Sequence, residues 1–173
     1  AGNNNNTAFV FRVRLDNTAP RVQEANFSNP ATGSNKTGTI ILNISVNDAS
    51  TGINVIVFNI TNSTGAQNAT FTSTNPTGDV WNVSINTVNF PDGEYNITAI
   101  VNDTAGNINR TGSVLKVRFD NSAPTVSSFS CTPSSVISGA TVTCSCSVTD
   151  ATTAINTTSF TTNPSTSNTG TFT

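Results

Sequence analysis

Between Ile40 and Phe119 the apolar residues fall on every second position, and few structures other than half-buried β-strands are compatible with that rhythm. Ile40, Leu42, Ile44 and Val46 share one phase. So do Ile56, Phe58 and Ile60, then Trp81, Val83 and Ile85, then Tyr95, Ile97, Ala99 and Val101, and finally Leu115, Val117 and Phe119. Their neighbours are mostly Asn, Ser, Thr, Lys or Arg. Side chains alternate across a strand, so this pattern turns one face to a core and the other to solvent. Turn signals punctuate the runs at Thr51-Gly52, Thr64-Gly65, Pro91-Asp92-Gly93 and Ala105-Gly106-Asn107. No 3.6-residue pattern competes. Seven strands are predicted, at 21–28, 39–48, 54–61, 67–73, 80–90, 94–103 and 112–120.

That count and spacing suit an all-β fold of Ig-like antiparallel β-sandwich modules in tandem. The tandem arrangement comes from an internal repeat. Thr7-Ala-Phe-Val-Phe-Arg-Val-Arg-Leu-Asp-Asn-Thr-Ala-Pro20 returns as Thr111-Gly-Ser-Val-Leu-Lys-Val-Arg-Phe-Asp-Asn-Ser-Ala-Pro124, 104 residues later. Ile44-Ser-Val-Asn-Asp48 returns as Cys146-Ser-Val-Thr-Asp150. Residues 1–19 are therefore predicted to be the last strand of a preceding module or a donor strand. Residues 20–123 are predicted to be a complete module, and 124–173 the first part of the next. Either a longer covalent array or donor-strand addition from a neighbouring copy fits these ends. In both cases strand 7–19 is expected in a sheet outside the 20–123 module.

The D-N-[ST]-A-P elements at Asp16 to Pro20 and Asp120 to Pro124, with Asp103-Thr-Ala-Gly-Asn107 before the last strand, resemble tandem Ig-like repeats of archaeal and bacterial surface proteins. The resemblance covers nearly the whole chain. It implies adhesins, stalks, surface layers or filaments, and an extracellular setting at the cell surface.

Composition narrows the chemistry. The chain has no His and no Met among its 173 residues, and its lysines are Lys36 and Lys116. The usual general base and the commonest metal ligand are thus missing. No group stands near the serines in sequence to activate one. There is neither a phosphate-binding glycine loop nor a paired-Cys zinc spacing. The chain is read as no enzyme. A net charge of −2 gives no electrostatic handle for nucleic acid. No apolar run nears the ~20 residues of a membrane span, so no direct membrane insertion is expected in this segment.

Charged residues make up only 9% of the chain, against about 25% in a typical soluble domain. Solubility must come from neutral polar groups or from something attached. Asn-x-Ser/Thr sequons stand at Asn5, Asn26, Asn35, Asn43, Asn59, Asn62, Asn68, Asn82, Asn96, Asn102, Asn109 and Asn156. Asn43, Asn59, Asn82, Asn96 and Asn102 take the outward phase of their strands, where N-linked glycans fit. An Asn- and Thr-rich composition also makes sequons by chance.

The cysteines are Cys131, Cys144 and Cys146. Cys144 and Cys146 lie two apart on one strand, about 6.6 Å between Cα atoms with parallel Cβ vectors, which disfavours a bridge between them. Cys131 can bridge to one of the two. In Ig modules the partner for the other lies on strand F, which in this copy would follow Thr173.

The acids gather at the predicted poles. Asp16, Asp48, Asp79 and Asp103 fall at one. Asp92, Glu94 and Asp120 fall at the other, and Asp150 of the next module faces that joint. This placement partly resembles cadherin-like calcium linkers, although the other acidic motifs of cadherins are missing. Calcium takes six to eight oxygens, which carboxylates, Asn side chains and carbonyls supply. The competing reading is turn chemistry, since Asp side chains accept hydrogen bonds from nearby backbone.

Two classes of function follow. The first is a structural segment of an extracellular glycosylated filament, stalk or surface layer, whose partners are neighbouring copies or modules joined head to tail. The second is an adhesin or binding module that grips a partner through its loops. Trp81 and Tyr95 both take the core phase and so form no sugar-binding platform, which favours the first.

Overall fold

The computed structural model describes residues 2, 12–23, 26–73, 77–137, 139–161 and 167–169. The chain divides into two compact units, Ala1–Phe119 and Asp120–Thr173.

The first unit is an antiparallel sandwich of eight strands. They are β1 (Phe27–Asn29), β2 (Asn35–Lys36), β3 (Thr39–Ser45), β4 (Ile53–Asn62), β5 (Gln67–Ser73), β6 (Val80–Asn86), β7 (Gly93–Asp103) and β8 (Ile108–Phe119). One sheet runs β1-β3-β6 and the other β2-β8-β7-β4-β5. The two-residue β2 pairs with β8 in parallel, and the other pairs of this unit are antiparallel.

Alternation puts Leu42, Ile44, Trp81 and Ile85 on the inner face of the first sheet. Ile56, Phe58, Ile60, Ile97, Val101, Val117 and Phe119 take the inner face of the second. All are buried in one cluster. Each fully buried side chain of this size stabilises the fold by about 1.5–3 kcal/mol before entropy is counted. At one end Phe119 stacks on Tyr95 (centroids 4.6 Å apart) and meets Phe90 edge-on (5.4 Å).

The turns close as their residue types require. After β4, Asn62 Oδ1 accepts the N–H groups of Thr64 (3.1 Å) and Ala66 (3.0 Å). Gly65 takes φ +83°, a left-handed value that a side chain would strain. Tyr95 donates its hydroxyl to the Pro91 carbonyl (2.7 Å), the tyrosine corner of many Ig-like sandwiches. Burial and the nearby Asp92 charge raise the Tyr95 pKa. Tyr95→Phe is expected to cost about 1 kcal/mol in denaturant melts, the net worth of one such bond.

The structure departs from the sequence reading at 21–28 and at Leu115. The strand predicted at 21–28 is reduced to β1, and the chain reaches β2 through Pro30, which has no N–H to continue a ladder. The fourth predicted strand, here β5, pairs with β4 and ends the larger sheet, so the two sheets hold three and five strands. Leu115 is 45% exposed, and Val114 is buried in its place. A bulge between the Tyr95–Val117 and Ile97–Val114 pairs shifts the phase. Lys116 sits in that bulge at φ +57°, its N–H donated to Asn96 Oδ1 (3.0 Å).

Residues 12–20 carry no strand, and residues 3–11 lie outside the described ones. The second unit pairs β9 (Thr125–Thr132) with β10 (Thr143–Thr149), and β11 (Ser159–Thr161) with β12 (Ser167–Thr169). Cys131 and Cys144 are directly opposed across β9 and β10 and form a disulfide. Cys146 is a free thiol. Among the described side chains of β9, β10 and the residues between them no hydrophobic one is buried, and Val126, Phe129 and Ile137 are more than half exposed.

Candidate functional site

The densest polar constellation lies where residues 14–20 meet the loops of the first unit. Asp103, the last residue of β7, is buried. Its Oδ1 accepts the N–H groups of Ala105 (2.9 Å) and Asn107 (2.8 Å), and its Oδ2 accepts Asn107 Nδ2 (2.9 Å). Gly106, at φ +95°, lets the chain turn back inside this ring. Asn107 Nδ2 also donates to the Asp16 carbonyl (3.1 Å) and so ties the turn to the linker. From the β3–β4 loop, Asp48 Oδ1 accepts the N–H groups of Ser50 and Thr51 (2.9 Å each). Thr51 then donates its hydroxyl to Asp16 Oδ2 (2.6 Å). Arg14 reaches the Ser50 carbonyl. Further along, Asn109 Nδ2 donates to the Pro20 carbonyl (2.6 Å), and Thr111 donates its hydroxyl to the Val22 carbonyl (3.2 Å).

Three carboxylates, of Asp16, Asp48 and Asp103, thus come within 4.8 Å of one another. Hydrogen bonds from the Thr51 and Ser50 amides hold the Asp48 carboxyl below the usual range. Burial pushes Asp103 up, but the Asn107 side chain and the amides of Asn107, Ala105 and Gly106 outweigh it and its pKa is lowered. Because both folded values lie below the unfolded value of about 3.9, the stabilisation is complete above that pH and is lost as pH falls through the folded values. The melting temperature is expected to be flat between about pH 7 and 5 and to fall below about pH 4. Asp48→Asn should flatten that acid limb; an unchanged limb would mean Asp48 is not among the groups that titrate there.

Of the acids the sequence grouped, Asp79 is outside this cluster, its carbonyl accepting the Val46 N–H. Asp92 lies beside Tyr95, and Glu94 pairs with Arg118 (2.7 Å). Asp120 and Asp150 belong to the second unit. Three carboxylates could supply part of a calcium shell of six to eight oxygens. At least five of their six oxygens accept protein hydrogen bonds. These are the bonds that the turn-chemistry reading expects, and an oxygen that accepts one of them keeps a lone pair for a cation. Melting curves with chelator and with millimolar calcium are expected to coincide; a calcium-dependent rise would establish a metal site.

The same contact recurs in the second unit. Thr153 donates its hydroxyl to Asp120 Oδ2 (2.5 Å), while Asp150 Oδ1 accepts the N–H groups of Thr152 (2.8 Å) and Thr153 (2.7 Å). Asp120, Asp150 and Thr153 repeat the roles of Asp16, Asp48 and Thr51.

The sequons separate into sets that the sequence cannot distinguish. Asn35, Asn68, Asn82 and Asn156 are exposed. Asn26, Asn62, Asn96 and Asn109 are half-buried, and each side-chain oxygen accepts a backbone N–H. Asn43, Asn59 and Asn102 are half-buried, with Oδ1 covered and without a hydrogen-bond partner. Asn5 lies outside the described residues. On the outer face of the larger sheet, Asn59 stands between Thr70 and Thr98, and Thr61 is opposite Asn96. Parts of three sequons thus share one patch of adjacent strands.

No helix among the described residues is long and apolar enough to cross a membrane. Compared with known proteins, the sequence matches no family model and no curated protein.

Proposed function

We propose that this chain is a non-catalytic, structural repeat segment of an extracellular, N-glycosylated filament, stalk or surface layer, of the kind its D-N-[ST]-A-P linkers resemble in archaeal and bacterial surface proteins. The observation that carries the reading is the twice-built linker anchor. In each unit an Asp at the start of the linker takes a Thr hydroxyl from the loop that an upstream Asp has folded. A linker fixed to its own module by side-chain bonds transmits orientation along a chain, whereas a free Ser/Thr-rich linker behaves as a flexible coil. Neighbouring copies or modules are the partners, and N-linked sugar supplies the solubility that a 9% charge content does not. The Cys131–Cys144 disulfide suits an oxidising, extracellular compartment.

Electron microscopy of native material, with antibodies against this chain, tests the reading. Label distributed along a regular polymer, stalk or lattice is the expected result. Label confined to the tips of isolated projections would replace it with an adhesin, and label on no surface structure would overturn both.

A further inference from the structure

We propose that sugar on Asn68 and Asn82 caps the two open strand edges of the sandwich and keeps copies from pairing edge to edge. The proposal rests on the N-glycosylated reading above. β5 ends the larger sheet and β6 ends the smaller one. Apart from the Thr77–Val80 bridge at the start of β6, the outer edges of both strands pair with no described strand. Each is seven residues long. An exposed edge of that kind is a template for another chain, and proteins usually blunt it with Lys, Pro, bulges or brevity.

The opposite side of the sandwich is blunted in those ways. β1 has three residues and runs into Pro30, while β2 has two and contains Lys36. β8 is covered by the first part of the chain through Gly33 N–H to Leu115 (3.0 Å) and Arg118 N–H to Ser34 (2.9 Å). β5 (QNATFTS) and β6 (VWNVSIN) have none of this protection along most of their length. They carry no charge and no proline, and the one bulge against β4 lies at the first residues of β5. Uncharged, β-prone segments of about this length are those that stack in cross-β assemblies. What both edges do carry is an exposed sequon asparagine, Asn68 on β5 and Asn82 on β6. An incoming strand would set a residue about 4.5–5.5 Å from the Cβ of either one. A glycan on that asparagine occupies the same space.

The test uses the whole chain produced with its N-glycans. Thr70→Ala with Ser84→Ala deletes both sequons and leaves both asparagines. Thr70→Lys with Ser84→Lys deletes them equally but puts a charge on each edge, and both parent residues are exposed. Site-resolved glycopeptide mass spectrometry is run beside light scattering after size exclusion, at matched concentrations. Sugar on Asn68 and Asn82 is expected in the parent protein. The alanine pair is expected to at least double its weight-average mass, with new amide protection in β5 or β6, and the lysine pair to keep the parent mass. An alanine pair that keeps the parent mass overturns the proposal, as does a lysine pair that associates equally. Sugar elsewhere but on neither asparagine overturns it while leaving the glycoprotein reading intact. A chain bare at every sequon overturns both.

Discussion

Phe119→Ala is expected to destabilise the first unit by about 3–5 kcal/mol, the range for removing a large aromatic side chain from a packed core. Phe119 is fully buried at the end of β8, stacked on Tyr95 and edge-on to Phe90. Both neighbours belong to the corner that sets the β6–β7 connection, so the cavity opens against residues already held by the Tyr95–Pro91 bond and closes poorly. Trp81→Ala, in the other sheet and also buried, should cost a similar amount. Denaturant melts read both directly. A cost under about 1 kcal/mol for either would mean that its site is not the packed interior described above.

The strands were legible where alternation was strict. The runs predicted at 54–61, 67–73 and 94–103 lie within one residue of β4, β5 and β7 at each end, and Ile56, Phe58 and Ile60, like Tyr95, Ile97, Ala99 and Val101, keep one buried phase. Legibility failed where local geometry broke the period. Leu115 reads as a core residue because it is two positions from Val117, and the bulge at Lys116 cannot be seen in a hydrophobicity pattern. The segment at 21–28 reads as a strand, yet Gln23 and Asn26 hydrogen-bond to each other in a local turn, and the Val22 carbonyl accepts the Thr111 hydroxyl from β8.

The candidate site was legible in its parts and not in its assembly. The repeated linkers and the Asp103 turn stand out as motifs, and three of the four acids placed at that pole do meet. Asp79 does not join them, because pole membership inferred from topology locates a loop but not a carboxylate. Thr51 and Asn107, which join loop and turn to linker, had no sequence signal beyond their turn positions; only the repetition of Thr51 as Thr153 could have marked it. Strand phase set five of the twelve sequons apart, but an N-x-[ST] pattern carries no information on which strands end a sheet. Cys131 pairs with Cys144 through the β9–β10 register, which three cysteine positions alone left open.

Gly112→Ala is expected to cost about 1–3 kcal/mol and to loosen the first linker. Gly112 lies on β8, and a Cβ there would stand 2.1 Å from Val22 Cγ1 and 3.2 Å from Val22 Cβ. Rotating a stiff β-branched side chain does not clear both contacts. Val22 is itself buried, so it must leave the core or push β8 outward. Val22 is also where the linker enters the sandwich, two residues after the Pro20 carbonyl held by Asn109 and with its own carbonyl held by Thr111. Displacing it should therefore speed amide exchange at Thr18 and Gln23, which are hydrogen-bonded to Asp16 and Asn26. Val22→Ala alone should cost about 1–2 kcal/mol through lost burial. Because the alanine at 22 vacates the space that the new methyl needs, the double variant should be little worse than Val22→Ala, a coupling of about 1–2 kcal/mol. Additive costs in the double variant would show that Gly112 is needed for some reason other than contact with Val22, and the linker would then not be locked to the last strand through this pair.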